Sequence, residues 1–127
     1  MNIEEVRTYC LSLKNAVECM PFGDDNVIFR VEGKIFLGFL LSDDEPCVSV
    51  KCNADLAIML RDRYQAVVPG FHMNKKYWND LYLQRDMPDA EIKRWIKHSY
   101  EEVIRKLPKK TQAKYGIKPL DLDKEGI

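Results

Sequence analysis

Long apolar runs are missing from this chain. The longest, Ile35–Leu41, is far shorter than the roughly 20 residues a membrane-spanning helix needs. The opening Met1-Asn2-Ile3-Glu4-Glu5 has neither the basic start nor the apolar core of an export signal. The expected compartment is therefore the cytoplasm, with no membrane partner. Glycine-rich phosphate loops are also missing: there is no G-x-G-x-x-G and no P-loop, so no nucleotide cofactor is expected. Histidine is scarce, with only His72 and His98, and no His-x-x-x-His, H-E-x-x-H or G-x-S-x-G occurs. The four cysteines, Cys10, Cys19, Cys47 and Cys52, include no Cys-x-x-Cys pair. They read as small, mostly buried thiols in a reducing compartment, and no metal site or catalytic residue is expected.

What is present is the composition of one ordinary domain. The chain has 127 residues, 46% hydrophobic and 31% charged, enough to bury a core without disulfides or metal. Net charge is zero, but it is unevenly spread. Residues 1–50 carry four basic and nine acidic side chains, whereas residues 85–118 carry ten and five. Such a chain can present a basic face to an anionic partner, or simply a solvated helix surface.

Periodicity orders the elements. Ile3, Val6, Cys10 and Leu13 predict a helix to about Lys14, with Asn2 and Glu5 as a capping box and Asn15 as a left-handed stop. Val27, Phe29 and Val31 alternate as a strand. Glu32-Gly33 is a two-residue hairpin turn, and Lys34–Leu41 returns as a strand apolar on both faces. Ser42 to Pro46 is an acidic turn, and Cys47 to Cys52 a third strand. Asn53 caps a second helix, Val67-Val68 and Asn79 to Leu83 are short strands, and Pro88 to Leu107 is the longest helix. Asp86 or Met87 is its expected cap, Ile92, Trp95, Ile96, Ser99, Val103 and Leu107 its buried stripe, and Glu101–Arg105 and Glu102–Lys106 its favourable pairs. The order α-β-β-β-α-β-β-α implies an α+β fold: an antiparallel sheet with helices packed on one face. The domain is expected over residues 1–110, with 111–127 as a C-terminal tail.

Two segments carry chemistry. Gly70-Phe71-His72-Met73-Asn74-Lys75-Lys76-Tyr77-Trp78 sets aromatics, a histidine and two lysines in one loop, and Arg105, Lys106, Lys109, Lys110 and Lys114 cluster after the last helix. Lysines neutralise phosphates and aromatics stack on bases. Equally, Phe71, Met73 and Trp78 tie such a loop to a core, His72 braces it by a hydrogen bond, and lysines at a helix C-terminus offset its dipole. Asp43-Asp44-Glu45 lacks the spacing and the glycine of a calcium loop and reads as an exposed turn.

Cys10-Leu11-Ser12-Leu13, Pro21-Phe22-Gly23, Val50-Lys51-Cys52, the 70–78 segment, His98-Ser99-Tyr100 and Lys106-Leu107-Pro108-Lys109-Lys110 together resemble the MmcQ/YjbR family. The resemblance covers about residues 1–110. One departure is Tyr77, where the family often has histidine before the tryptophan. The resemblance implies a fold similar to the bacterial frataxin CyaY and a DNA-binding role. Frataxin-type iron binding does not carry over, because the first helix offers only Glu4 and Glu5. On the DNA reading, Lys51, Lys75, Lys76, Lys106, Lys109 and Lys110 contact phosphates, with His72, Asn74 and Tyr77 at the edge. The alternative is a non-catalytic protein- or small-ligand-binding module, in which a partner, a second copy or a ligand covers the two-sided strand.

Overall fold

The computed structural model describes residues 1–122. The elements are α1 (Ile3–Ser12), β1 (Val17–Cys19), β2 (Asn26–Val31), β3 (Lys34–Leu40), β4 (Cys47–Lys51), α2 (Ala54–Arg63), β5 (Val67–Pro69), β6 (Trp78–Tyr82), α3 (Asp89–Arg105) and α4 (Lys109–Gln112). The strands form one antiparallel sheet in the order β1-β2-β3-β4-β6-β5. The α+β class is as expected; β1 and α4 are additions to the expected order. A three-residue strand such as Val17-Glu18-Cys19 is too short for alternation to reveal it.

Local chemistry sets most boundaries. Asn2 Oδ1 accepts from the Glu5 amide at 2.8 Å and Glu5 Oε1 from the Asn2 amide at 3.3 Å, completing the capping box of α1. The helix stops at Ser12 rather than Lys14. Leu13 is already extended, and Asn15 takes a left-handed φ of 61° to turn into β1. Arg7 then ties α1 to β1 through two bonds to Glu18, at 2.6 and 2.8 Å. Glu32 and Gly33 both have positive φ, as a type I′ hairpin requires. Asn53 Oδ1 caps α2 by accepting from the amides of Asp55 and Leu56.

Two expectations for α3 change. Pro88, not Asp86 or Met87, is the N-cap, and no side chain caps this end. The Asp86 carboxylate instead accepts from the amides of Gln65 and Ala66 at 2.8 and 2.7 Å, which holds it below the usual carboxylate range. At the other end Lys106 is the C-cap, past the last helical residue. Glu102 pairs with Arg105 at 2.9 Å instead of with Lys106. The Glu101–Arg105 pair forms at 3.8 Å.

Register separates the two sheet faces. Val27, Phe29, Leu37, Phe39, Val48, Val50 and Leu81 are buried against α3 and α2, whose Ile92, Trp95, Ile96, Leu56 and Leu60 are buried with them. Between β2 and β3 the pairing jumps from Phe29↔Leu37 to Arg30↔Ile35, so Phe36 is an extra residue in a bulge. Phe36 is fully buried and packs edge-on against Tyr100, with ring centroids 5.5 Å apart. Ser99 on α3 explains itself here. Its hydroxyl donates to the Phe36 carbonyl and accepts from the Lys51 amide at 2.8 Å, fastening helix to sheet.

Residues 109–122 do not run free of the domain. Tyr115 donates to Glu32 at 2.6 Å and accepts from Asn15 at 3.1 Å, while the Lys14 ammonium donates to the Lys114 carbonyl at 2.7 Å. The remainder of the expected tail lies outside the described residues. Among the described residues no helix is long and apolar enough to cross a membrane.

Candidate functional site

Among the described residues, the opposite sheet face carries no helix. One straight cross-strand row runs Ile28–Gly38–Ser49–Asp80, and beside it lie Arg30, Ile35, Lys51 and Trp78. Because Gly38 has no side chain, the row dips at its centre. Three loops rise around the dip: residues 20–25 after β1, 41–46 after β3, and 70–77 after β5. Together they enclose a cavity of about 440 Å³, whose walls include Ile28, Phe39, Cys47, Ser49, Trp78 and Tyr82. Asp43, Asp44, Glu45 and Asp80 supply carboxylates, and Phe22 and Phe71, 67% and 75% exposed, stand at the mouth.

The 70–77 loop is held from both sides. Asp80 Oδ2 accepts from the Phe71 amide at 3.2 Å, and Oδ1 accepts from the Ser49 hydroxyl at 2.6 Å. The Gly70 amide donates to the Trp78 carbonyl at 2.9 Å, so close that a side chain there would meet Trp78 Cβ at 3.0 Å. On the helix side, Arg61 of α2 donates to Asn79 Oδ1 at 2.7 Å, to the Lys75 carbonyl and to the Trp78 carbonyl at 3.4 Å.

The expected phosphate contacts separate in space and in use. Lys75 turns back on its own loop, donating to the Gly70 carbonyl at 3.0 Å and the Phe71 carbonyl at 3.4 Å. Asn74 accepts from the Lys76 amide at 3.0 Å, a turn-forming bond. The Lys76 ammonium sits 5.4 Å from the centre of the Tyr77 ring. His72 stands edge-on to Phe71 at 4.7 Å at the cavity mouth. Trp78 secures the loop as expected, whereas Phe71 points to solvent. Lys51 and Lys106 meet elsewhere, in a second hollow at the hairpin end of the sheet. Lys109 and Lys110 lie exposed on α4. His98 is a core residue whose Nε2 accepts from the Asn53 amide at 3.2 Å.

Electrostatics in the cavity is anionic. Partial desolvation at the rim, followed by the neighbouring carboxylates of Asp25 and Asp80, pushes the Asp43 carboxyl up, while His72 pulls the other way. Burial, reinforced by Asp80, Asp43 and Glu45, pushes the Cys47 thiol up to about 12. All four cysteines are free thiols. Cys47 should therefore react slowly with iodoacetamide near neutral pH, its labelling rising about tenfold per unit as pH increases. Mass spectrometry of the Cys47 peptide across a pH series checks this; a rate that plateaus near pH 8 would contradict it. Among the described residues, no group of three or more His, Cys, Asp or Glu side chains is placed to hold a metal ion.

Sequence reasoning missed the cavity walls. Asp80 and Tyr82 carried no motif, and Phe22 entered only through the Pro21-Phe22-Gly23 resemblance; a charged Asp within an apolar strand was the available signal.

The fold has known counterparts. A Deinococcus radiodurans structure with a DUF419 domain superposes with a TM-score of 0.84 at 24% identity, covering 92% of this chain and 89% of that one. A Pseudomonas syringae protein gives a TM-score of 0.69 at 21% identity, over 78% and 96%. Both likenesses concern the fold alone. By sequence, Escherichia coli K12 YjbR is 30% identical over 108 residues, 85% of this chain and 92% of that protein. YbdF of Escherichia coli O157:H7 is 28% identical over 111 residues, 87% and 91%. The YjbR family model matches residues 11–102. The chain belongs to the YjbR family.

Proposed function

We propose that this chain is a non-catalytic binding module for a small organic ligand with a positive charge and an aromatic or apolar body. The observation that supports it is the cavity on the helix-free sheet face. Its volume of about 440 Å³ falls within the usual range for small-molecule sites. Its apolar floor would take the body of the ligand. Among the described residues four carboxylates line the cavity, Glu45 paired with Arg85 at 2.6 Å and Asp43 drawn on by His72. An ammonium group near Asp43 and Asp80 relieves the carboxylate repulsion that adds to desolvation in raising the Asp43 carboxyl, and Phe22 at the mouth offers a ring face to a cation. Affinity is then full where Asp43 is ionised and falls as pH drops through its raised pKa.

The test is thermal-shift and tryptophan-fluorescence titration with phenethylamine and tryptamine, each beside its uncharged alcohol analogue. The amines raise the melting temperature by about 2 °C or more at saturating concentration. Gly38→Leu, which fills the floor, abolishes the effect, and Asp43→Asn weakens it. If neither amines nor alcohols move melting temperature or fluorescence, the reading fails.

A nucleic-acid role draws support from a different observation, the meeting of Lys51 and Lys106 in one basic hollow with Lys109 and Lys110 exposed beyond. It requires duplex affinity that falls with salt at a log–log slope near −0.9 per neutralised phosphate. Fluorescence anisotropy without such a slope removes it.

A further inference from the structure

The basic hollow has features that a solvated lysine patch lacks. It encloses about 510 Å³ where the β2–β3 hairpin meets the end of α3. Arg30, Lys34, Lys51 and Lys106 line it, and among the described residues no carboxylate does. The nearby acids are already engaged: Glu32 accepts from the Tyr115 hydroxyl at 2.6 Å, and Glu102 from Arg105 at 2.9 Å. Arg30 Nε is buried with no hydrogen-bond partner among the described residues. A buried, unmatched guanidinium donor is costly unless something accepts from it. Arg30 is held in register opposite Ile35, and Lys51 opposite Trp78. Ile35 and Trp78 also line the carboxylate-lined cavity, so the two hollows share a wall.

We propose that this hollow is an oxyanion subsite for a phosphate monoester group, and that the phosphate belongs to the same small ligand whose cationic body enters the carboxylate-lined cavity. Four cations match a dianion better than a singly charged carboxylate, and the planar guanidinium supplies paired donors of the kind phosphate accepts. The helix-free face is then bipolar: carboxylates and rings at one end, cations at the other, with Ile35 and Trp78 between. The second half of the proposal rests on the reading given under Proposed function; the first half does not.

The test is an amide and arginine Nε NMR titration of the whole chain with inorganic phosphate, at ionic strength held constant with chloride. Phosphate is expected to shift the Arg30 Nε–H and the amides of Gly33, Lys34 and Lys51 saturably. Arg30→Gln and, should that variant fold poorly, the half-exposed Lys51→Gln each weaken binding roughly tenfold, the loss of one charge-assisted bond. Gly38→Leu leaves phosphate affinity unchanged, so failure of the carboxylate-lined cavity and failure of this subsite read out separately. Phosphoethanolamine, which carries both charges, binds the native chain roughly tenfold tighter than phosphate and loses that gain in Gly38→Leu. A response that chloride reproduces, or one that Lys51→Gln and Arg30→Gln leave intact, overturns the subsite. A short DNA duplex that displaces phosphate, with no gain for phosphoethanolamine, overturns the small-ligand assignment and gives the hollow to a nucleic-acid backbone.

Discussion

Phe36→Ala lowers the free energy of unfolding by about 3–5 kcal/mol, the cost of deleting a fully buried aromatic ring. The ring fills the space between Phe29, 6.3 Å away, and Tyr100, 5.5 Å away. Its backbone is also the bulge that accepts the Ser99 hydroxyl. That pinned backbone cannot follow a shrinking side chain inward, so the cavity left behind stays open. In a domain of this size the melting temperature falls by about 10–20 °C. Phe22→Ala and Phe71→Ala, on exposed rings, change stability by less than about 0.5 kcal/mol. Urea titrations of the three variants make the comparison. A loss below about 1 kcal/mol for Phe36→Ala would mean that the bulge does not lock the ring into the core.

Arg61→Ala is expected to cost about 2–3 kcal/mol and to release the 70–77 loop. One guanidinium bridges α2 to the buried Asn79 side chain and to two carbonyls at the base of that loop. Without it, Asn79 Oδ1 is stranded in the core, while the amide nitrogen keeps its bond to the Ala57 carbonyl at 3.3 Å. The loop is then held by Asp80, by the Gly70–Trp78 bond, by the Cys52 amide on the Tyr77 carbonyl and by the inturned Lys75. Limited proteolysis detects the difference as faster cutting within residues 71–77, and amine binding weakens in parallel as the cavity wall loosens. Arg61→Lys restores at most part of the effect, since an ammonium group does not span the same set of acceptors. Unchanged proteolysis in Arg61→Ala would show that the sheet side holds the loop unaided.

These residues mark where the sequence was legible and where it was not. The type I′ turn at Glu32-Gly33, the Asn53 cap and the stripe along α3 as far as Val103 are local events, each decided by a few neighbouring residues, and appear where the pattern puts them; Leu107 lies beyond the helix end and is partly buried. The cavity is different in kind. Ile28, Gly38, Ser49 and Asp80 lie up to 52 positions apart and become neighbours only through register on four strands. Nothing local to Gly38 says that its missing side chain faces a hollow rather than solvent. The lysines fail for another reason. Lys75 and Lys51 look alike in a sequence, but one finds carbonyls within its own loop and the other lines a basic hollow. Which lysine is spent internally is decided by backbone geometry and not by composition.

The clasp around Tyr115 bears on the order in which the molecule assembles. Its bonds join residues far apart in the chain, Tyr115 to Glu32, Lys14 to Lys114, and Tyr100 to the Lys14 carbonyl at 2.6 Å. Each closes a loop of most of the polypeptide, and such closure is entropically unfavourable until the intervening elements have condensed. The hairpin and α3 can form from near neighbours, whereas the clasp has nothing to grip until both stand in place. It is therefore a late event in folding, and a lock on completed structure rather than a seed for it.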